Sequence, residues 1–155
     1  KMNKTYDYYI AGPCDTDHRS AMVNIARFLR NKEKKVYCPW ELHIENAWGM
    51  SQEEWARKVF DEDIKALNDC ELVIMISYGR ISSTGSAWEQ GYCYAKDIPV
   101  HVIQVNANPT SLMVYCGCNN FVNLDNTYNT MISELQWIMD HGPVPYHGKC
   151  RTVLT

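Results

Sequence analysis

Apolar runs of strand length alternate along the chain with stretches in which apolar residues recur at helical spacing. The run Tyr6–Ala11 (YDYYIA) is rich in β-favouring residues and stops at Gly12 and Pro13, which mark a turn. Residues 71–77 and 99–105 are nearly continuous apolar runs, as expected of strands buried on both faces of a parallel sheet. The other predicted elements are strands over residues 35–39 and 120–124 and helices from about residue 17, from 51 to about 68, from about 86 to 96 and from 128 to 141.

This alternation of strands and helices predicts one α/β domain over residues 1–155. We expect a doubly wound, flavodoxin-like five-stranded parallel sheet flanked by helices. Sheets of this kind bind ligands beyond the carboxyl ends of their strands, near the point at which the strand order reverses. The loops at residues 12–17 and 78–89, which follow the first and third strands, are therefore the expected site.

The composition narrows the classes of function. With 155 residues, of which 46% are hydrophobic, the chain can form a compact core without metals or disulfides. A net charge of -3 gives no electrostatic reason to expect nucleic acid as a partner. The seven cysteines include no CxxC pair, so we predict reduced thiols, no metal site and a cytoplasmic protein. No stretch has the length of a membrane span, so a membrane is not an expected partner.

A loop of small hydroxyl residues and glycine lies between the third strand and the following helix, at residues 82–86 (SSTGS). Backbone N–H groups at a helix N-terminus, together with Ser83, Gly85 and Ser86, make a site for an anion or for sugar hydroxyls. An ordinary helix cap explains the same residues equally well. The loop alone therefore leaves both interpretations open.

Glu89 lies about one turn into this helix, between Trp88 and Tyr92. The helix dipole favours an ionised carboxylate near the N-terminus, so we expect Glu89 to be charged. A surface acid that only complements the dipole is the alternative, but aromatic neighbours are an unusual setting for one. An ionised carboxylate at the ligand end of the sheet is suited to act as a nucleophile.

Asp63 is the second candidate carboxylate. It follows Val59 by four residues and Phe60 by three, which places it on the apolar side of its helix rather than with Lys58 and Lys65. A carboxylate on an inward face either has a partner, such as a helix-to-loop hydrogen bond, or takes part in chemistry. Glycosyl transfer requires two carboxylates in different environments, because one acts as the ionised nucleophile and the other holds a proton for the leaving group.

Three segments resemble nucleoside 2-deoxyribosyltransferases. Residues 63–95 carry the pattern S-x-G-x-x-x-E-x-G-Y, which begins at Ser83 and is the most specific of the three. Residues 8–13 (YYIAGP) resemble the first strand and pocket loop of that family, and residues 109–121 (PTSLMVYCGCNNF) resemble its late active-site segment. The segments occur in the family's order and cover most of the chain.

The resemblance implies roles for four residues. Glu89 matches the family nucleophile, which forms a glycosyl ester at C1′ of the sugar. Asp63 matches a carboxylate that assists proton transfer on the base, and Tyr9 matches a tyrosine that orients the nucleophile. Asn120 matches an asparagine that binds a sugar hydroxyl in the neighbouring subunit's site, which implies a homo-oligomer with shared sites. No cofactor is implied, because both half-reactions use nucleophilic and acid–base chemistry.

The resemblance also implies positions that contact the substrate. Gly12, Pro13 and Asp15 belong to the pocket loop after the first strand. Glu41 and His43 follow the second strand, where the family recognises the base.

The chain departs from the transferases at Ser83. Those enzymes commonly carry an aspartate six residues before the nucleophile, which is implicated in base recognition and protonation. The related deoxynucleoside 5′-monophosphate N-glycosidases carry a serine there that holds phosphate. Arg19 and Arg80 are the candidate phosphate partners, but residues 14–17 (CDTD) are acidic where that branch carries serine and arginine, which favours an unphosphorylated nucleoside.

We therefore predict transfer of 2-deoxyribose between nucleobases through a covalent intermediate on Glu89, with nucleosides and nucleobases as the small-molecule partners. One alternative is an N-glycoside hydrolase acting on (deoxy)nucleosides or nucleoside 5′-monophosphates. A second is a nucleotide-binding module without catalytic activity. Electron transfer with flavin is disfavoured, because the loop after the first strand lacks the run of hydroxyl residues that usually holds the flavin phosphate.

Overall fold

The computed structural model describes residues 3–79, 83–106, 108–125 and 127–143. Within them, five strands form one parallel sheet in the order β2-β1-β3-β4-β5. The strands are β1 (Tyr6–Ala11), β2 (Val36–Tyr37), β3 (Cys70–Ser77), β4 (Val100–Gln104) and β5 (Asn120–Asn123). The helices are α1 (Arg19–Asn31), α2 (Gln52–Asn68), α3 (Thr84–Ala95), α4 (Leu112–Cys116) and α5 (Tyr128–His141). The predicted doubly wound α/β fold is confirmed.

The sheet separates two hydrophobic cores. Successive residues of a strand point to opposite faces, so Ile10 of β1 packs with α1 and α5, whereas Tyr9 packs with α2 and α3. The strand order reverses between β1 and β3, which places the loops after these two strands on either side of a crevice. This crevice is where the sequence predicted a ligand site.

Helix α2 begins and ends where the sequence predicted. Ser51 caps it: its Oγ accepts a hydrogen bond from the backbone N–H of Glu54 at 3.2 Å, and the Glu54 side chain accepts one from the backbone N–H of Ser51 at 2.8 Å. The apolar stripe is buried only near the C-terminus of the helix, at Leu67, while Trp55 and Phe60 stay exposed. The first turns of α2 therefore present apolar side chains to solvent.

Two elements differ from the sequence-based expectation. Strand β2 is shorter than the predicted 35–39, because Pro39 has no backbone N–H for the sheet and begins a 3-10 turn, Pro39–Glu41. Helix α4, of five residues, was not predicted. None of the described helices combines the length and apolar character needed to cross a membrane.

Candidate active site

A cavity of about 320 Å³ opens beyond the carboxyl end of β1, between α2 and the start of α3. Small-molecule sites have volumes of about 300–1,000 Å³, so the cavity can hold a sugar-sized ligand. Its wall is formed by Cys14, Phe60, Asp63, Ile64, Leu67, Gly85, Trp88 and Glu89. Two carboxyl groups therefore share a cavity that is otherwise largely apolar.

Glu89 lines this cavity from α3, and a hydrogen bond from a residue of the sheet holds its carboxyl in place. The phenol of Tyr9, whose side chain is fully buried in β1, donates a hydrogen bond to Oε2 of Glu89. Burial raises the pKa of Glu89 to about 7, the Tyr9 hydrogen bond lowers it, and the charge of Asp63 raises it further. The sequence predicted an ionised Glu89 from the helix dipole, but the dipole acts mainly on the first turn and Glu89 is the sixth residue of α3.

Asp63 lines the same cavity from α2. The phenol of Tyr37, in β2, donates a hydrogen bond to Oδ1 of Asp63 at 2.7 Å. Burial raises the pKa of Asp63, the Tyr37 hydrogen bond lowers it, and the charge of Glu62 raises it. Asp63 thus combines the two interpretations that the sequence left open, since it has a hydrogen-bond partner and also faces the cavity.

The two tyrosines pack against each other. Tyr9 and Tyr37 are paired in the parallel register of β1 and β2, and their rings stack with centroids 5.2 Å apart and planes 18° apart. Burial raises the pKa of each phenol well above its ordinary value, and the neighbouring carboxylates raise it further, so both phenols stay protonated and donate hydrogen bonds. The site therefore contains two tyrosine–carboxylate pairs joined by one ring stack.

Tyr37 and Cys14 were not singled out from the sequence. The only sequence signal for Tyr37 is that it lies in the predicted second strand, over residues 35–39. Cys14 follows the turn after β1, and its thiol donates a hydrogen bond to the backbone carbonyl of Gly12 at 3.7 Å. Burial raises the pKa of the Cys14 thiol, as do the charges of Glu89 and other nearby carboxylates, so this part of the wall is uncharged.

An aromatic pair forms the outer wall of the cavity. Phe60 and Trp88 contact each other edge to face, with ring centroids 5.4 Å apart and planes 62° apart. The two side chains are 42% and 50% exposed, so a ligand in the cavity would cover apolar surface that otherwise faces water. Burying this surface favours a planar, weakly polar group over water at this end of the cavity.

Gly12 and Pro13 shape the loop after β1 without lining the cavity. A Cβ atom at Gly12 would come within 2.4 Å of the Met22 sulfur, so the backbone passes closely against α1. The carbonyl of Pro13 accepts a hydrogen bond from Nε1 of Trp40 at 3.3 Å. The loop is thereby fixed on both sides, and Cys14 is its residue on the cavity wall.

Asp15, Glu41 and His43 also lie outside the cavity wall. The Asp15 carboxylate binds Nδ1 of His18 at 2.7 Å, and Glu41 forms an ion pair with Arg30 at 2.6 Å. His43 belongs to a separate groove of about 690 Å³ that shares no lining residue with the cavity and is bordered by Leu42, Ile44, Glu45, Met50, Lys58, Asp61 and Glu62. The structure therefore does not bring these three residues together with Glu89.

Residues at the start of α3 have two different roles: Ser83 caps the helix and Gly85 lines the cavity. Ser83 caps the helix by accepting a hydrogen bond from the backbone N–H of Ser86 at 3.3 Å, and Gly85 lines the cavity. Ser86 is 1% exposed, and within the described part of the chain its hydroxyl has no hydrogen-bond partner. Ser82 and Arg80 lie outside the described residues.

Asn120 faces away from the cavity. It is the first residue of β5 and pairs with His101 of β4, which pairs with Ile74 of β3. Residues in register on parallel strands point to the same face, so Asn120 faces the core covered by α1 and α5, opposite to Tyr9. The Asn120 side chain is 1% exposed within this single chain, and its contribution to a neighbouring subunit's site stays a prediction.

The cavity offers nucleophilic and acid–base chemistry. Over residues 3–79, 83–106, 108–125 and 127–143, no group of three or more His, Cys, Asp or Glu side chains is arranged to hold a metal ion. The polar groups that face a ligand are the carboxyls of Glu89 and Asp63, each with one phenol donor. Such a pair suits displacement at a carbon whose leaving group needs a proton.

Comparisons with known proteins show the fold and the family of this chain. A solved 2-deoxyribosyltransferase from the psychrotolerant bacterium Bacillus psychrosaccharolyticus shares the fold, with a TM-score of 0.67 and 20% identity over 90% of this chain and 98% of that one. A conserved protein from Enterococcus faecalis V583 gives a TM-score of 0.52 and 17% identity over 96% of this chain and 82% of that one. No curated protein sequence matches at a significant level. The family model for nucleoside 2-deoxyribosyltransferase matches residues 8–136, and because this range is most of the chain, the chain belongs to that family.

Proposed function

We propose that the protein transfers 2-deoxyribose between nucleobases, with nucleosides and free bases as its substrates. One observation carries the proposal: the Glu89 carboxyl, hydrogen-bonded by Tyr9, shares a sugar-sized cavity with the Asp63 carboxyl. Membership of the family supports this class of substrate.

In the first half-reaction Glu89 acts as the nucleophile. Its ionised Oε atom bonds to C1′ of the nucleoside while the bond between C1′ and the base nitrogen breaks. The electron pair of the broken bond stays on the base, and Asp63 supplies the proton that this nitrogen or its ring requires. The products are a free base and a 2-deoxyribosyl ester on Glu89.

In the second half-reaction the steps reverse with a different base. The nitrogen of the incoming base attacks C1′, the ester bond to Glu89 breaks, and the N–H proton of that base returns to Asp63. Each displacement inverts C1′, so the product keeps the configuration of the substrate. Glu89 and Asp63 return to their starting protonation states, so the cycle needs no further reactant.

The apolar wall supports transfer over hydrolysis. Phe60, Ile64, Leu67 and Trp88 surround the carboxyls with hydrocarbon and aromatic surface. A flat base covers this surface, whereas a single water molecule leaves most of it in contact with solvent. We therefore propose that a nucleobase, and not water, is the preferred acceptor.

Product analysis tests the proposed reaction. Incubation with thymidine and adenine should give thymine and 2′-deoxyadenosine, which chromatography separates; a parallel incubation replaces thymidine with thymidylate. Glu89→Gln should abolish exchange because its amide cannot form the ester, while Glu53→Gln, at an exposed site on α2, should exchange at the parent rate. Free 2-deoxyribose or its 5-phosphate as the main product would indicate a hydrolase, and binding without any turnover would indicate a binding module.

The assembly and location of the protein also belong to the proposal. A homo-oligomer with shared sites is supported by the family resemblance and by Leu112 and Met113 of α4, which are 43% and 75% exposed within the segment that resembles the family's late active-site segment. A cytoplasmic location is supported by the free thiols of the cysteines in the described residues.

A further inference from the structure

The hydrogen bond between Tyr37 and Asp63 extends the site beyond the residues that the family resemblance assigns. We infer that Tyr37 is a positioning residue that fixes the Asp63 carboxyl so that one of its oxygens faces the leaving base. This inference rests on the proposed function, because it concerns how that reaction's acid–base group is held. Tyr37 itself does not line the cavity wall.

The geometry at Asp63 distinguishes its two oxygens. Tyr37 donates to Oδ1 at 2.7 Å, and within the described part of the chain this is the only hydrogen bond that the Asp63 side chain makes. A phenol donor occupies the oxygen that accepts, in the ionised and in the protonated carboxyl alike. The proton of the acid form is therefore directed to Oδ2, the oxygen that remains for a ligand in the cavity.

The phenol of Tyr37 is itself held in place. Its ring stacks on Tyr9 and contacts Tyr6 edge to face, with ring centroids 5.4 Å apart and planes 66° apart. Its backbone is paired with β1 in the sheet. Because neighbouring groups fix the ring on two sides, the hydroxyl restrains Asp63 and is not free to follow it.

The effect of losing the Tyr37 hydroxyl depends on whether the leaving base must take up a proton. The base of 2′-deoxyguanosine must be protonated as it leaves, so its departure depends on a well-placed Asp63. N7-methylated 2′-deoxyguanosine already carries a positive charge on its base, which leaves as a neutral molecule without taking a proton. Loss of the Tyr37 hydroxyl should therefore slow the first substrate much more than the second.

The experiment compares base release from these two nucleosides in single turnovers of the full chain. Tyr37→Phe keeps the stacked ring and removes the hydroxyl, and we expect it to slow release from 2′-deoxyguanosine by about ten- to a hundredfold, as for loss of a hydrogen bond to a charged group. Release from the N7-methylated nucleoside should stay close to the parent rate. Tyr6→Phe is the matched control, because the Tyr6 hydroxyl makes no hydrogen bond to the described residues, and it should leave both rates unchanged.

A double-mutant cycle with Asp63→Asn completes the test. Asp63→Asn should slow release from 2′-deoxyguanosine by about two to four orders of magnitude, and Tyr37→Phe should add nothing in that background. Three results would overturn the inference and give Tyr37 a structural role alone. The first is equal slowing of base release from both nucleosides by Tyr37→Phe, and the second is an undiminished effect of Tyr37→Phe in the Asp63→Asn background. The third is loss of the folded state of Tyr37→Phe, measured in a thermal melt. If the parent protein released neither base, the proposed function would fail first and the inference would fall with it.

Discussion

At the scale of single residues, burial and hydrogen bonding shift the pKa of Glu89 in opposite directions. Burial favours the protonated carboxyl, and the phenol of Tyr9 favours the ionised one. Burial has the larger effect, so the pKa of Glu89 rises to about 7. A carboxyl with this raised pKa is present in both protonation states near neutral pH, and its ionised form is more reactive than an ordinary carboxylate of lower pKa.

The raised pKa of Glu89 predicts a pH-dependent cost in stability. The ordinary carboxyl pKa is 4.5 and that of folded Glu89 is about 7, so the unfolded chain loses this proton first as pH rises. Stability is therefore lost between these two pH values and stays lower above them. Glu89→Gln removes the cost, so its gain in melting temperature should be larger at about pH 8 than at about pH 5.

The control for this measurement is Glu53→Gln, which changes an exposed carboxylate on α2 and should show no gain that grows with pH. Thermal melts followed by circular dichroism at several pH values measure the gain in melting temperature of both variants. A Glu89→Gln gain that stays constant, or that shrinks as pH rises, would contradict the raised pKa.

At the scale of elements, local patterns predicted where α2 begins and ends but not what covers it. The side chains of Ser51 and Glu54 each accept a hydrogen bond from the backbone N–H of the other residue, and the sequence shows this capping pattern directly. The exposed positions of Trp55 and Phe60 depend on how the sheet and α3 meet the helix, and helical periodicity carries no such information. The contact of Tyr37 with Asp63 could not be predicted for the same reason, because it joins β2 to α2 and the packing of these two elements is set by the whole fold.

Loss of the Ser51 cap should lower the stability of the protein by a measurable amount. Ser51→Ala removes the hydrogen bond that Oγ accepts from the Glu54 backbone N–H and should lower the free energy of unfolding by about 1 kcal/mol. Ser111→Ala is the control, because Ser111 precedes α4 without a side-chain cap bond. Urea denaturation measures both, and equal losses in the two variants would show that the capping box does not stabilise α2.

At the scale of the whole molecule, the reversal of strand order between β1 and β3 assembles the site from distant segments. Strand–helix alternation predicted this sheet, and with it the edge of the sheet at which Cys14, Gly85 and Glu89 meet. The role expected of Asn120 came from the family resemblance instead, and the face to which this strand residue points appears only in the register of the folded sheet. Glu41 and His43 also came from the resemblance; the structure pairs Glu41 with Arg30 and places His43 in a separate groove, so their contact with the base stays a prediction.

The proposed covalent bond between the sugar and Glu89 can be observed directly. The protein is mixed with thymidine alone, quenched in acid within one turnover, digested and examined by mass spectrometry. We expect a peptide carrying one 2-deoxyribosyl group on Glu89, which disappears when adenine is added before the quench. Exchange between thymidine and adenine that proceeds with no sugar ever bound to Glu89, or that persists in Glu89→Gln, would contradict it.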